Sequence, residues 1–469
     1  MAGFTKDEEI LAAFGSASFL QMWTWPNLFR DQGKTSESSD GKEICDLTVI
    51  FGNTIILFSD KRIEFNNSKA LKVAWCRWAR KAISGSLKQL EGAERWLREN
   101  PDRVFVDKAC TKPIPISLSN PESMTFILVV VTHGIERQLS SINDEGSLSF
   151  NNQILGNENW EQSSAKPFCL GNVSENRFVH VFTDETIRLV LSEFDTAKDF
   201  IAYLKQRETL FTLKKPVEVS KESDMVYLFY ENYSDSERSR AILSAPELSP
   251  SVVSIAKEPI SNLYGNPNFQ AKKKADHAAY FWDHLIESFA FHALNGTTQF
   301  RNWNHTSEIE PALRLMASPG RFDRRVLAQA FMEFYYKVPP GQRGTRVVYS
   351  PSDMSVGYLF LLVPFINKQR SNDEYRELRN RMLQGYAYIF AGAHNELSSL
   401  VGIGAKTRNN DTPLSEAFFD EGQDYIFLDC ADWSPEEQRK SEEVRAKYEE
   451  NGLLATRTKS HGVVHEFPQ

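Results

Sequence analysis

Two apolar runs joined by Gly52-Asn53 constrain this chain more than any other stretch. The first is Ile44-Cys45-Asp46-Leu47-Thr48-Val49-Ile50-Phe51, and the second is Thr54-Ile55-Ile56-Leu57-Phe58-Ser59-Asp60-Lys61. Each is of strand length, and a Gly-Asn pair between such runs reads as a two-residue β-hairpin. Side chains alternate along a strand, so Ser59 and Lys61 face one way and Asp60 the other. Register across so short a turn brings Asp46 alongside Ser59 and Lys61. The hairpin is therefore expected to gather an acid and an amine at one end.

The segments around it predict an α/β fold in several parts. Residues 6–23 have the spacing of an amphipathic helix, with Ile10, Leu11, Phe14, Phe19 and Leu20 on its apolar side. Residues 26–42 read as a polar loop. A helix is expected from Lys72 to Asn100, ended by Pro101, and then a strand from Met124 to Thr132. This first domain spans 1–135, a mixed sheet flanked by helices. Residues 136–215 read as an extension, either separate from the first domain or part of it: a loop to 176, strands at Arg177–Phe182 and Ile187–Phe194, and a helix from Thr196 to Phe211. Thr196 and Asp199 have capping-box spacing, so these residues serve the helix end rather than catalysis. The charged junction Lys214–Ser223 marks a boundary, and residues 216–469 form a C-terminal helical and α/β or α+β domain.

A chain of 469 residues is too long for one core. With 54 Lys and Arg against 62 Asp and Glu, its net charge of −8 excludes a basic coat, so a polyanion partner must be met by a local patch. Cys45, Cys76, Cys110, Cys169 and Cys430 are scattered without a CxxC pair, which argues against structural zinc and a disulfide framework. The opening residues lack a basic segment followed by an apolar core, and no apolar run is of membrane-spanning length. A cytoplasmic protein without membrane contact is the expectation. No GxxxxGK[ST], GxGxxG or GxSxG pattern is present, so nucleotide hydrolysis, dinucleotide chemistry and the serine-hydrolase elbow lack support.

Phosphodiester hydrolysis needs a divalent cation and a positive group near the nucleophile, and hard cations favour carboxylate oxygens. Asp46, the hairpin and Lys61 resemble the PD-(D/E)xK superfamily of restriction-endonuclease-like proteins, including its nuclease-related-domain branch. The resemblance covers about residues 5–130. It implies that Asp46 binds Mg²⁺ or Mn²⁺, that Lys61 orients the attacking water, and that Gln89 stands near the site. Glu8 or Glu9 would match a further acid of some branches. The family pattern has an acid where this chain has Ser59, so a second carboxylate must come from elsewhere: Glu43, Asp60, Glu64, Glu91 or Glu94. The implied function is metal-dependent cleavage of DNA or RNA, with a role in defence against foreign nucleic acid. The C-terminal region would then sense a trigger or engage a protein partner or a second copy. Two alternatives stand beside it. One is an inactive restriction-like fold acting as a nucleic-acid- or protein-binding scaffold. The other is an ordinary hairpin whose Asp46 and Lys61 merely end strands.

The helix after the hairpin carries Arg77, Arg80, Lys81 and Lys88, interleaved with Trp75 and Trp78. Such a strip can hold a phosphate backbone, or it can be the solvated edge of a core stripe made by Trp78, Ile83, Leu87, Leu90 and Leu97. Asp276, His277, Asp283, His284, Glu287 and His292 lie too far apart along their helix for one ion, and read as a solvated or interdomain face. His180, inside an apolar strand, reads as a packing residue.

Overall fold

A computed structural model describes residues 5–32, 40–118, 120–142, 145–234, 239–243, 251–256, 259–297, 306–365, 371–408, 422–454 and 465–467. Parts of the 26–42 loop and most of the tail beyond 454 lie outside these residues. The fold is mixed α/β. It divides into two compact units, residues 1–270 with 294–308, and residues 271–293 with 309–469.

The first unit opens with helix α1 (Lys6–Phe19), where Thr5 and Glu8 form a reciprocal capping box. Strand β1 (Thr24–Pro26) follows, then a small ribbon of β2 (Phe29–Arg30) and β3 (Lys42–Glu43). The hairpin forms as β4 (Leu47–Phe51) and β5 (Thr54–Arg62), with Phe51 paired to Thr54 and Gly52 at φ +60°, a conformation that costs a residue without Cβ little. A long helix then returns the chain to β6 (Thr125–His133), which pairs parallel to β5. Parallel neighbours require such a crossover. The crossover is helix α2 (Leu71–Ala79), a π-helical turn over Arg80–Ser84, and helix α3 (Gly85–Glu99).

After helix α4 (Glu136–Ser140) the chain builds β7 (Ser149–Leu155) and β8 (Cys169–Asn172), then returns as β9 (His180–Thr183), parallel to β6. The main sheet therefore runs β1-β4-β5-β6-β9. Helix α3 packs on one face, while α1 and α5 (Asp184–Glu193) pack on the other. Phe19 of α1 meets Phe58 on the second face, and Trp75, Trp78, Ile83, Leu90 and Leu97 fill the helical side of the first.

Several expectations change. Residues 187–193 are helical rather than the strand expected over 187–194, because Thr183 caps α5 and Ile187, Val190 and Leu191 fall at i, i+3 and i+4. The 136–176 stretch holds β7 and β8 of a second sheet, ordered β13-β10-β7-β8, with β10 at Val217–Val219 and β13 at Val253–Ile255. Because β10 pairs with β7 and β13, the junction at 214–223 lies inside the first unit, and the division falls near residue 270. Helix α6 (Ala197–Phe211), capped by Thr196, and α7 (Glu222–Glu231) carry a buried cluster in which Arg207 bonds Glu222 and stands beside His180. Burial and that guanidinium hold His180 well below the usual imidazole range. A short ribbon, β11 (Tyr233–Ser234) with β12 (Ser239–Arg240), and α8 (Ile260–Gly265) lead to α9 (Pro267–Asp276).

The second unit contains most of α10 (Ala279–Leu294) and of α11 (Thr306–Ala317), α12 (Arg321–Lys337) and a sheet β14-β15-β16-β17. Its strands are β14 (Gly344–Ser350), β15 (Asp353–Val363), β16 (Ser399–Lys406) and β17 (Asp424–Asp429). Helix α13 (Asn372–Ala391) makes the crossover between β15 and β16, and Ser434 caps a final helix, Pro435–Glu450. Asp276 and Asp283 are not solvated here. Asp283 binds Arg321 and Arg324, and Asp276 binds Lys272 and Arg325, all of them buried, as charges inside a core must be paired. Among the described residues no helix is long and apolar enough to cross a membrane.

Candidate active site

The hairpin register fixes the site. Leu47 pairs with Phe58, and one further step sets Asp46 opposite Ser59. Asp46 Oδ2 accepts the Asp60 backbone N–H at 2.5 Å, which locks the carboxylate to the neighbouring strand. Ser59 Oγ donates to Gln89 Oε1 at 3.2 Å, and Gln89 also favours the ionised form of Asp46. Thus α3 delivers Gln89 onto the face that carries Asp46 and Ser59.

Lys61 lies on that face as well, since a Cβ built on Gly85 of α3 would stand 2.8 Å from its Nζ. The amine is half-buried, and no hydrogen bond or ion pair engages it among the described residues. Residues four apart share an α-helical stripe, so Gly85 and Gln89 line up, with Lys88 beside them. Arg77, Arg80, Lys81 and Lys88 are all exposed, and Arg80 bonds the Trp160 carbonyl. Trp75 and Trp78 are buried, their indole N–H groups spent on the carbonyls of Asn159 and Ile63, so they belong to the core rather than to the strip.

Asp60 faces the other way. Its Oδ1 is 2.5 Å from His133 Nε2, with side-chain exposures of 3% and 2%. Beyond it, Arg62 contacts His133 Nδ1 and binds Asp7 at 2.7 Å. The carboxylate of Asp60, expected as a cation ligand, is thus engaged across the sheet from Asp46, as strand alternation requires. Burial raises the Asp60 carboxyl despite the His133 hydrogen bond; burial acts to lower His133, but Asp60 outweighs it and the imidazole is raised.

No family model, curated protein or solved structure matches this chain. The chemistry of the site therefore rests on its geometry.

Glu43 on β3 is the acid that joins Asp46. Burial, followed by the charges of Asp46 and Glu8, pushes the Glu43 carboxyl up to about 7. Burial, opposed by the Asp60 N–H but reinforced by Glu8, raises Asp46 to about 6. Glu43 Oε1 is buried and has no hydrogen-bond partner among the described residues. Glu64 and Glu9 are exposed, and Glu94 is occupied by Arg98 and Arg177. Among the described residues no three His, Cys, Asp or Glu side chains converge on one point as a metal cage. Magnesium is ordinarily held by one or two carboxylates, with water and substrate phosphate completing its shell. Asp46 and the unpartnered Glu43 oxygen fit that donor set.

Sequence reasoning missed Gly85 and the π-helical turn before it. A glycine inside an amphipathic helix pattern costs helix stability and was the available signal.

Proposed function

We propose that the first unit is a metal-dependent nuclease acting on DNA or RNA phosphodiester bonds. The observation that supports this most is that Asp46, held by the Asp60 N–H, and the bonded Ser59–Gln89 pair share one sheet face with a Lys61 amine that no hydrogen bond or ion pair engages among the described residues. Helix, acid, hairpin and glutamine-bearing helix follow in the order that the PD-(D/E)xK resemblance implies. Asp46 and Glu43 would hold Mg²⁺ or Mn²⁺, which when bound supplies an activated water and neutralises phosphate charge. Gln89 orients Asp46. Lys61 stabilises negative charge beside the nucleophile, and the exposed cations of residues 77–88 hold the backbone by salt-sensitive contacts.

The scaffold reading draws on Ser59, whose hydroxyl is spent on Gln89 where the family pattern has a ligand. Purified protein incubated with plasmid, linear DNA and RNA, each with EDTA, Mg²⁺ or Mn²⁺, separates the two. Cleavage that requires metal and disappears in Asp46→Ala and Lys61→Ala supports the nuclease. Binding without cleavage of any substrate, unchanged in both variants, supports the scaffold.

A further inference from the structure

We infer that Gly85 is a positioning residue for the Lys61 amine: its missing side chain is the space in which Nζ sits. The inference rests on the nuclease reading for its catalytic consequence, but not for its geometry. A Cβ on Gly85 would come within 2.8 Å of Lys61 Nζ and 3.9 Å of Cε, and meets no other atom within 4 Å. The only conflict is with the far end of a flexible side chain. An alanine there can be accommodated by moving the amine, so the fold tolerates what the site does not.

The local backbone explains why glycine stands at this point. The π-helical turn at Arg80–Ser84 ends where α3 begins, at Gly85. A π turn inserts extra residue into the helical register and rotates everything after it, and such turns recur at functional sites. Gly85 and Gln89, one turn apart, then both face β5, where Lys61 meets the first and Ser59 the second. Spacing of two along the strand is matched to spacing of four along the helix. Gly92 on the same helix provides a contrast, because a Cβ there meets nothing within 4 Å.

The test compares Gly85→Ala with Gly92→Ala in the full chain. Two readouts are needed: the rate at which the Lys61 amine is reductively methylated, followed by mass spectrometry of its peptide, and metal-dependent cleavage. Both variants gain helix propensity and are expected to melt at or above the wild-type temperature. In Gly85→Ala the displaced amine is expected to methylate severalfold faster. Its kcat should fall about 10–100-fold with little change in KM, the penalty of misplacing a reacting group by an ångström or so. Gly92→Ala should match wild type in both. Unchanged methylation in Gly85→Ala overturns the inference, as does an equal change in Gly92→Ala. Should wild type cleave nothing with either metal, the nuclease reading fails while the methylation comparison still decides the Gly85–Lys61 contact.

Discussion

Adjacent residues of β5 enter two unlike environments. On the α1 and α5 side, Asp60 and Arg62 are fully committed: His133 is clamped by Asp60, and Asp7 by Arg62. On the α3 side Ser59 bonds Gln89 while Lys61 carries no hydrogen bond or ion pair among the described residues; at the same end of the hairpin Asp46 raises the Glu43 carboxyl, whose Oε1 has no partner among them. One face has its charges paired, Asp60 and His133 in burial and Arg62 and Asp7 nearer the surface, which serves stability. The other leaves like charges together and an amine unspent, which stability alone does not favour and a bound cation and phosphate would relieve. Under the proposed nuclease reading, a single strand separates a structural role from a chemical one by alternation.

Four perturbations sharpen that contrast. The largest effect is expected at the unspent face. Asp46→Ala or Lys61→Ala should lower metal-dependent cleavage by about 10²–10³-fold, the usual loss on removing one group that stabilises developing charge. Thermal melts should stay near wild type. Asp60→Ala should do the reverse. Stripping one partner from a buried pair costs about 3–5 kcal/mol, so the urea midpoint should drop sharply while refolded protein keeps its metal site.

Next come the exposed cations. Arg77→Ala, Lys81→Ala and Lys88→Ala should each shift stability by less than about 0.5 kcal/mol. Each that contacts a phosphate should reduce the salt dependence of nucleic-acid binding by about one unit of slope. The smallest effect is in pH. Glu43 at about 7 and Asp46 at about 6 lie above their ordinary values. The native state then holds more protons than the unfolded chain between the unfolded and folded values. Metal-free stability from these groups is complete below the ordinary carboxylate range and is lost as pH rises through 6 to 7. Urea titrations at acid and neutral pH should show this dependence, and Glu43→Gln should weaken it.

What could be read from sequence followed short-range rules. The two-residue turn, the facing of Ser59 and Lys61 and the cap at Thr196 all depend on residues close in the chain. Most of the hidden parts depended on distant partners, and one on a local cap. Residues 187–194 have an apolar density that suits a strand or a helix, and only the Thr183 cap decides between them. The segment Lys214–Ser223 resembled a linker because charge marks solvent, yet Val217 and Val219 pair with strands far along the chain. Asp276 and Asp283 read as surface residues because their arginine partners lie on α12. At the site, Glu43 could be named but not chosen, since its closeness to Asp46 is a product of folding.

Binding of Mn²⁺, followed by electron paramagnetic resonance, tests the division between the two faces most directly. Wild type and Asp60→Asn should each take up a Mn²⁺ ion that Asp46→Ala fails to hold. Equal binding in Asp46→Ala, or loss of the ion in folded Asp60→Asn with Asp46 intact, would contradict it.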